Sequence, residues 1–315
     1  MKFDCCTRGA LLVLASICMQ CAASANAEEG GASVYMPGAY NDFAAGVAGP
    51  PGVYLRNDLA IYDLSINARP LGGTVDAGID QFLVLDLVKF AWIPEGTLLG
   101  GVPSVAVIVP VVPHVDVDAR VRGPGFGVFR TGGISGFGDV IVLPSINWTN
   151  GNHHFTVGAG ISMPVGRYAE DRAVNLGRNY WAFDPQITYT YLDPTSGLDI
   201  SGTAGVLFNS KNKATNYTSG TSIHFDALVA KHFASGLALG LNGYWYQQVE
   251  DDKGNIPPIL PEGFRGSAAG IGPAAMVTLK TGRTELNLIG KWLHDVEATN
   301  RMKGDTVMIS LALKL

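Results

Sequence analysis

The chain has 315 residues, of which 47% are hydrophobic and 16% charged, with 22 basic against 27 acidic residues and a formal net charge of −5. That acidic balance excludes nucleic acid as a partner, because its ligands need a basic patch. Forty glycines and seventeen prolines exclude a fold of long helices, and the length suits one large all-β domain or two ordinary ones.

Residues 1–27 read as a secretory signal. Lys2 and Arg8 precede an apolar stretch that starts at Ala10, and Ala25-Asn26-Ala27 offers a small-residue cleavage site ahead of Glu28. A lipoprotein signal fits poorly, since it needs a Leu three positions before a Cys and a small residue just before it. Cys18 has Ala15 and Ile17 at those places, and Cys21 has Cys18 and Gln20. All four cysteines fall within this segment, so the mature chain is expected to reach a disulfide-permissive compartment without a thiol. Loss of Lys2, Asp4 and Arg8 leaves a net charge of −6.

Residues 28–51 are rich in Gly, Ala and Pro, which favours a flexible tail hanging in the periplasm. Tyr35, Met36, Tyr40 and Phe43 favour burial instead, as a plug folded into a lumen. Both alternatives stay open at this level.

From residue 52 onward the chain alternates. In FTVGAGISMPVG, residues 155–166, apolar side chains occupy every second position from Phe155 to Val165 and small or polar residues stand between them. A period of two marks a strand whose faces meet different surroundings. The pattern recurs with Trp181, Phe183, Ile187, Tyr189 and Tyr191; with Ile223, Phe225, Ala227 and Val229; with Leu237, Leu239, Leu241 and Trp245; and with Val307, Ile309, Leu311, Leu313 and Leu315. It predicts about twelve strands, over 52–66, 80–92, 99–113, 136–148, 153–165, 180–192, 198–210, 220–232, 237–249, 265–279, 284–295 and 304–315.

The joints sort by parity. Short ones at 149–152, 193–197, 233–236 and 280–283 alternate with long ones at 67–79, 114–135, 166–179, 211–219, 250–264 and 296–303. A soluble β-sandwich has no reason for this, whereas an outer-membrane barrel has short periplasmic turns and longer outer loops. A membrane helix is excluded in the most apolar stretch, 96–115, by Pro103, Pro110 and Pro113. The expected fold is therefore an all-β transmembrane antiparallel barrel over 52–315, placed in the bacterial outer membrane after cleavage near Ala27.

Charges test the apolar face, where a mid-depth Lys or Arg costs roughly 2–4 kcal/mol. Lys231 shares a face with Phe225 and Val229 but sits beside a short turn, where it can snorkel. Asp86 and Lys89 fall on opposite faces, so one of them needs a bulge or a place near the rim. Asp184, Gln186, His224, Asp226 and Lys291 fall on polar faces and are expected to line the lumen. His224, Asp226 and His232 share one face, as a polar network in preference to a metal or catalytic site. His153 and His154 point to opposite faces and read as exposed turn residues.

Gly136-Phe137-Gly138-Asp139 is not followed by a Lys or a helix, so it reads as a tight strand entry with Asp139 as a structural partner. No GxSxG occurs, and no catalytic residue, metal or cofactor is expected. Pro110, Pro144, Pro164, Pro185 and Pro273 fall within strands, and each should mark a bulge or a strand end. In the loop at 255–264, Ile256, Ile259, Leu260 and Phe264 suggest a surface that captures apolar solutes or a cap on the barrel mouth.

SGFGDVIVLP, residues 135–144, and VYMPG, residues 34–38, resemble the MetA-pathway of phenol degradation family, a likeness that runs from about Gly31 to the end of the chain. The resemblance implies an outer-membrane channel for aromatic or other hydrophobic compounds, similar to the long-chain fatty-acid transporters. The expected role is passive uptake of such compounds. Its partners would be outer-membrane lipid, the barrel-assembly machinery and the small hydrophobic solute. The alternatives are a general diffusion porin for small polar solutes and a structural or enzymatic barrel.

Overall fold

A computed structural model describes residues 28–29, 33–68, 76–123, 126–170, 172, 174–255, 265–281 and 284–315. The signal segment and the apolar loop residues Ile256, Ile259, Leu260 and Phe264 lie outside the described residues. Twelve strands form the barrel wall: β1 Gly52–Ala68, β2 Asp76–Ile93, β3 Val102–Gly123, β4 Val140–Asn150, β5 His153–Met163, β6 Ala182–Asp193, β7 Leu198–Asn209, β8 Ser222–His232, β9 Leu237–Gln248, β10 Ser267–Thr281, β11 Thr284–Thr299 and β12 Lys303–Lys314.

Each strand pairs antiparallel with its sequence neighbours, and β1 pairs with β12, for example Leu59 with Ile309, which closes the ring. Closure gives each strand a neighbour on both sides and leaves no edge strand, as a wall facing lipid requires. The alternation sorts side chains as a barrel must. Ile187 is 62% exposed on the outside, whereas its neighbours Thr188 and Gln186 line an interior cavity. Trp92 and Phe155 near the short-turn end, and Phe82, Trp181, Phe183 and Trp245 toward the other end, stand outward as the two rims of an apolar belt.

Five strands outrun the bilayer by four residues or more. β1, β2, β3, β10 and β11 have 17, 18, 22, 15 and 16 residues, against the roughly 9–11 a tilted strand needs to cross. The expected loop 114–135 is largely strand: residues 116–123 of β3 pair with Phe126–Gly133 as a projecting hairpin. Its outer face is polar, with Asp118 accepting from Thr131 and Arg120 paired with Asp80, because above the lipid the outside of the wall meets water. The loop expected at 296–303 shrinks to residues 300–302 for the same reason.

The prolines meet the expectation only in part. Pro164 follows the end of β5, and Pro110 pairs with Leu87 of β2 but has no partner in β4. Pro144, Pro185 and Pro273 sit inside strands, in register with Val105, Ala159 and Leu241 on one side. On the other side the ladder skips two residues and resumes without a shift, from Val142–Ile161 to Ser145–Gly158, from Phe183–Phe208 to Gln186–Gly205 and from Ile271–His294 to Ala274–Lys291. A missing donor thus opens one side of the ladder only, and no bulge is needed. A register shift does occur between Val84 and Asp86, where Asp86 turns outward and accepts from Asn57, and Lys89 points inward to Asp58 at 2.7 Å.

Candidate functional site

The interior is packed around residues 33–49, which enter the barrel ahead of β1 and contact several strands. Three apolar clusters hold this segment. Tyr35 packs with Tyr180, Leu207, Tyr244, Tyr246 and Leu293. Met36 packs beside Leu85, Leu87, Val112 and Met308, and Phe43 beside Leu228, Ala230, Ala238 and Ile289. The small inward residues of β8, β9 and β10 make room for Phe43, so its burial depends on residues more than 180 positions away.

Polar contacts align the segment. The Tyr35 hydroxyl donates to Asp226 Oδ1 at 3.0 Å, and its ring lies 4.8 Å from His224. The Tyr40 ring is 4.6 Å from the same imidazole. His224 spans two carboxylates, with Nε2 3.0 Å from Asp184 Oδ1 and Nδ1 3.4 Å from Asp226 Oδ2. All three groups are buried, so each would be costly alone and is compensated by the others.

Lys291 Nζ donates to the carbonyls of Gly38 and Asn41, each at 2.7 Å. Asp42 pairs with Arg56, which also reaches Asp58 at 2.7 Å. Farther down, Ala44 N donates to Asp199 at 2.7 Å, Gly46 N donates to Thr190 at 2.9 Å, and Asn147 donates to the Gly46 carbonyl. At the opposite end the Glu28 carboxylate accepts from Tyr246 and is 3.1 Å from Arg301, whose guanidinium lies over the Tyr246 ring. Burial pushes the Glu28 carboxyl above the usual carboxylate range, and Arg301 opposes that shift.

Two chambers lie beside the segment among the described residues. The upper one, about 790 Å³, is bounded by Leu64, Leu83, Val112, Val115 and Val117 on one wall and by Arg130, Arg172 and Arg178 among its polar groups. The lower one, about 270 Å³, has Leu87, Ile108, Ile141, Leu143 and Leu207 on its apolar side and Asp184, Gln186, Thr156, Thr188 and Thr203 on its polar side. Both fall near or within the range of small-ligand sites, and the lower exceeds a dry cavity of about 150 Å³ that can hold benzene.

The structure brings Asp184, His224 and Asp226 together beneath Tyr35 and Tyr40, sets Lys291 under the Gly38–Asn41 turn, and leaves Gln186 on the lower chamber. His232 is separated from that group and faces Asp199 at 3.0 Å. His154 is a correction: it is buried, with Nδ1 2.9 Å from Thr149 Oγ1, because it already belongs to β5 as its second residue and takes an inward position. Asp139 accepts from the backbone amides of Gly166 and Arg178 and ties the β5–β6 connection to the wall.

Arg56, Asn147, Thr190, Asp199 and Tyr246 also hold the segment, Asp58 braces Arg56, and none of the six stands out in the sequence. The available signal was their place on the inward positions of alternating strands, which marks a face and leaves the contact unspecified.

No curated protein matches the chain in sequence. Among solved structures the chain is similar to an outer membrane channel from Pseudomonas putida F1, at 15% identity and a TM-score of 0.62, covering 88% of this chain and 98% of that one. A fainter likeness, at 9% identity and a TM-score of 0.46, is to the transport unit of the autotransporter AIDA-I from Escherichia coli, over 84% of this chain and 89% of that one. The first shares the fold, that of an outer-membrane β-barrel, and the second carries no argument. Residues 67–311 match the family described as MetA-pathway of phenol degradation, and the chain belongs to that family.

Proposed function

We propose that the protein is an outer-membrane channel through which small hydrophobic or aromatic compounds enter passively, with no covalent chemistry. The observation that carries this reading is the filled interior. A segment bound by aromatic packing and buried polar contacts occupies the barrel and has beside it two chambers, each with an apolar wall. The outer membrane channel from Pseudomonas putida F1, alike in fold, and the family membership agree with it.

In this reading residues 28–51 are the plug. His224, Asp226 and Lys291 anchor it, while Asp184 and Gln186 present polar groups to a solute in the lower chamber. Ile256, Ile259, Leu260 and Phe264 form the collecting surface on the outer side, a role argued from their apolar side chains alone.

Single-channel conductance of the refolded chain in a planar bilayer tests the plug. Near-zero ionic current is expected, with deletion of residues 28–50 opening a steady pore. A large current from the intact chain would instead support a general diffusion porin. For the collecting surface, simultaneous Ile259→Ser and Leu260→Ser should reduce uptake of an apolar solute with the barrel still folded, and unchanged uptake would remove those residues from the mechanism.

A further inference from the structure

The N-terminal segment is bound unevenly. From Tyr35 to Asp42 its polar contacts to the wall run to β1, β8 and β11, through Tyr62, Arg56, Asp226 and Lys291. Its opposite flank, toward β2 to β6, carries the chambers. Those chambers adjoin: Val34, Met36, Ile141 and Ser162 line both. The boundary is also marked on the wall, where Leu85 and Pro110 belong to the upper chamber and the next inward residues, Leu87 and Ile108, to the lower.

Of the four shared residues only Ser162 is polar, so the boundary between the chambers is apolar. A narrow apolar constriction sheds water and resists hydrated ions while admitting apolar solutes. Methionine suits such a place, being unbranched and adaptable in shape.

Resting on the proposed channel function, we infer that a solute crosses from the upper to the lower chamber along the β2–β6 flank of the segment, through a neck where Met36 and Ile141 set the size and polarity admitted. The segment's bonds to β1, β8 and β11 need not break for this passage, and its bonds at Gly46 to Asn147, Thr156 and Thr190 of β4, β5 and β6 lie ten residues beyond Met36.

A cysteine reporter in the lower chamber tests the neck without knowledge of the natural solute. All four cysteines of the chain lie before residue 28, so Thr188→Cys gives a single thiol in the mature chain. N-phenylmaleimide, an apolar aromatic probe, is added to cells from outside and compared with a cationic methanethiosulfonate.

The apolar probe is expected to label at least tenfold faster than the cationic one. Met36→Trp should slow the apolar probe at least tenfold, and Met36→Ala should speed both probes. Ile141→Trp narrows the same neck from the wall and serves if Met36→Trp does not fold, which heat-modifiable gel mobility reports. Labelling indifferent to a folded Trp variant would overturn the neck, since a solute that displaces the whole segment or enters from below never passes it. The probe's route is read separately from the bilayer current, so a failed neck and a failed channel give different results.

Discussion

Lys291 Nζ lies 2.7 Å from the carbonyl oxygen of Asn41, a residue 250 positions earlier in the chain, and at the same distance from that of Gly38. A buried ammonium donating to two carbonyls across the barrel ties the segment before β1 to β11. Lys291→Met keeps most of the volume and removes both donors. Hydrogen bonds from a charged group contribute about 1.5–3 kcal/mol, reduced here by relief of the buried charge. The segment should become sensitive to added protease and the bilayer current should rise, while the barrel keeps its heat-modifiable mobility.

Tyr35→Phe removes one hydroxyl that donates to Asp226 and leaves the ring packing intact. The buried carboxylate loses a partner, at a cost of roughly 1–3 kcal/mol. A double-mutant cycle with Lys291→Met, read by denaturant unfolding in detergent, should show coupling above about 0.5 kcal/mol, because both residues hold the same short segment. Strict additivity would mean that the two ends of the segment release independently.

Ile187→Lys places an ammonium outward in the middle of β6, where the side chain is 62% exposed. It should destabilise the bilayer-inserted barrel by about 2–4 kcal/mol. Gln186→Lys, one residue away and pointing at the lower chamber, should be much milder in the same refolding titration into lipid vesicles. Equal effects would mean that the apolar belt does not face lipid there.

Asn57 and Asp86 form a polar pair on the outer face, between the rim residues Phe82 and Trp92 of β2. Replacing both, Asn57→Leu with Asp86→Leu, should stabilise the barrel in vesicles, since a buried polar pair exchanged for apolar groups is often neutral or favourable. Asp86→Leu alone should do less, because it leaves the Asn57 amide in lipid without its acceptor. A midpoint that falls in the double variant would show that this pair is needed at the Val84–Asp86 register shift.

Much of the wall is legible from side-chain alternation. Phe155, Val157, Ile187, Phe225, Leu241 and Ile309 recur at a period of two and all stand outward in the barrel. The hairpin was missed because its code inverts. In residues 115–122, Val115, Val117, Ala119 and Val121 alternate with Asp116, Asp118, Arg120 and Arg122, a strand pattern whose outer face is charged. It reads as a loop until the wall is known to rise above the lipid. The prolines were misjudged for a related reason: Pro144, Pro185 and Pro273 each keep one ladder and interrupt the other, which depends on which neighbour the absent N–H would have faced.

By itself the sequence determines the strand faces, the parity of the connections and the lack of cysteine after residue 27, because alternation and composition are local properties of the chain. Only the tertiary structure decides what fills the barrel. Residues 33–49 can be composed like a tail, yet Tyr35 meets Asp226, Asn41 meets Lys291 and Asp42 meets Arg56, because closing twelve strands brings β1, β8 and β11 around one axis. Contacts between residues some 190 to 250 positions apart leave no local pattern, and neither do the two chambers that open on the other side of the segment.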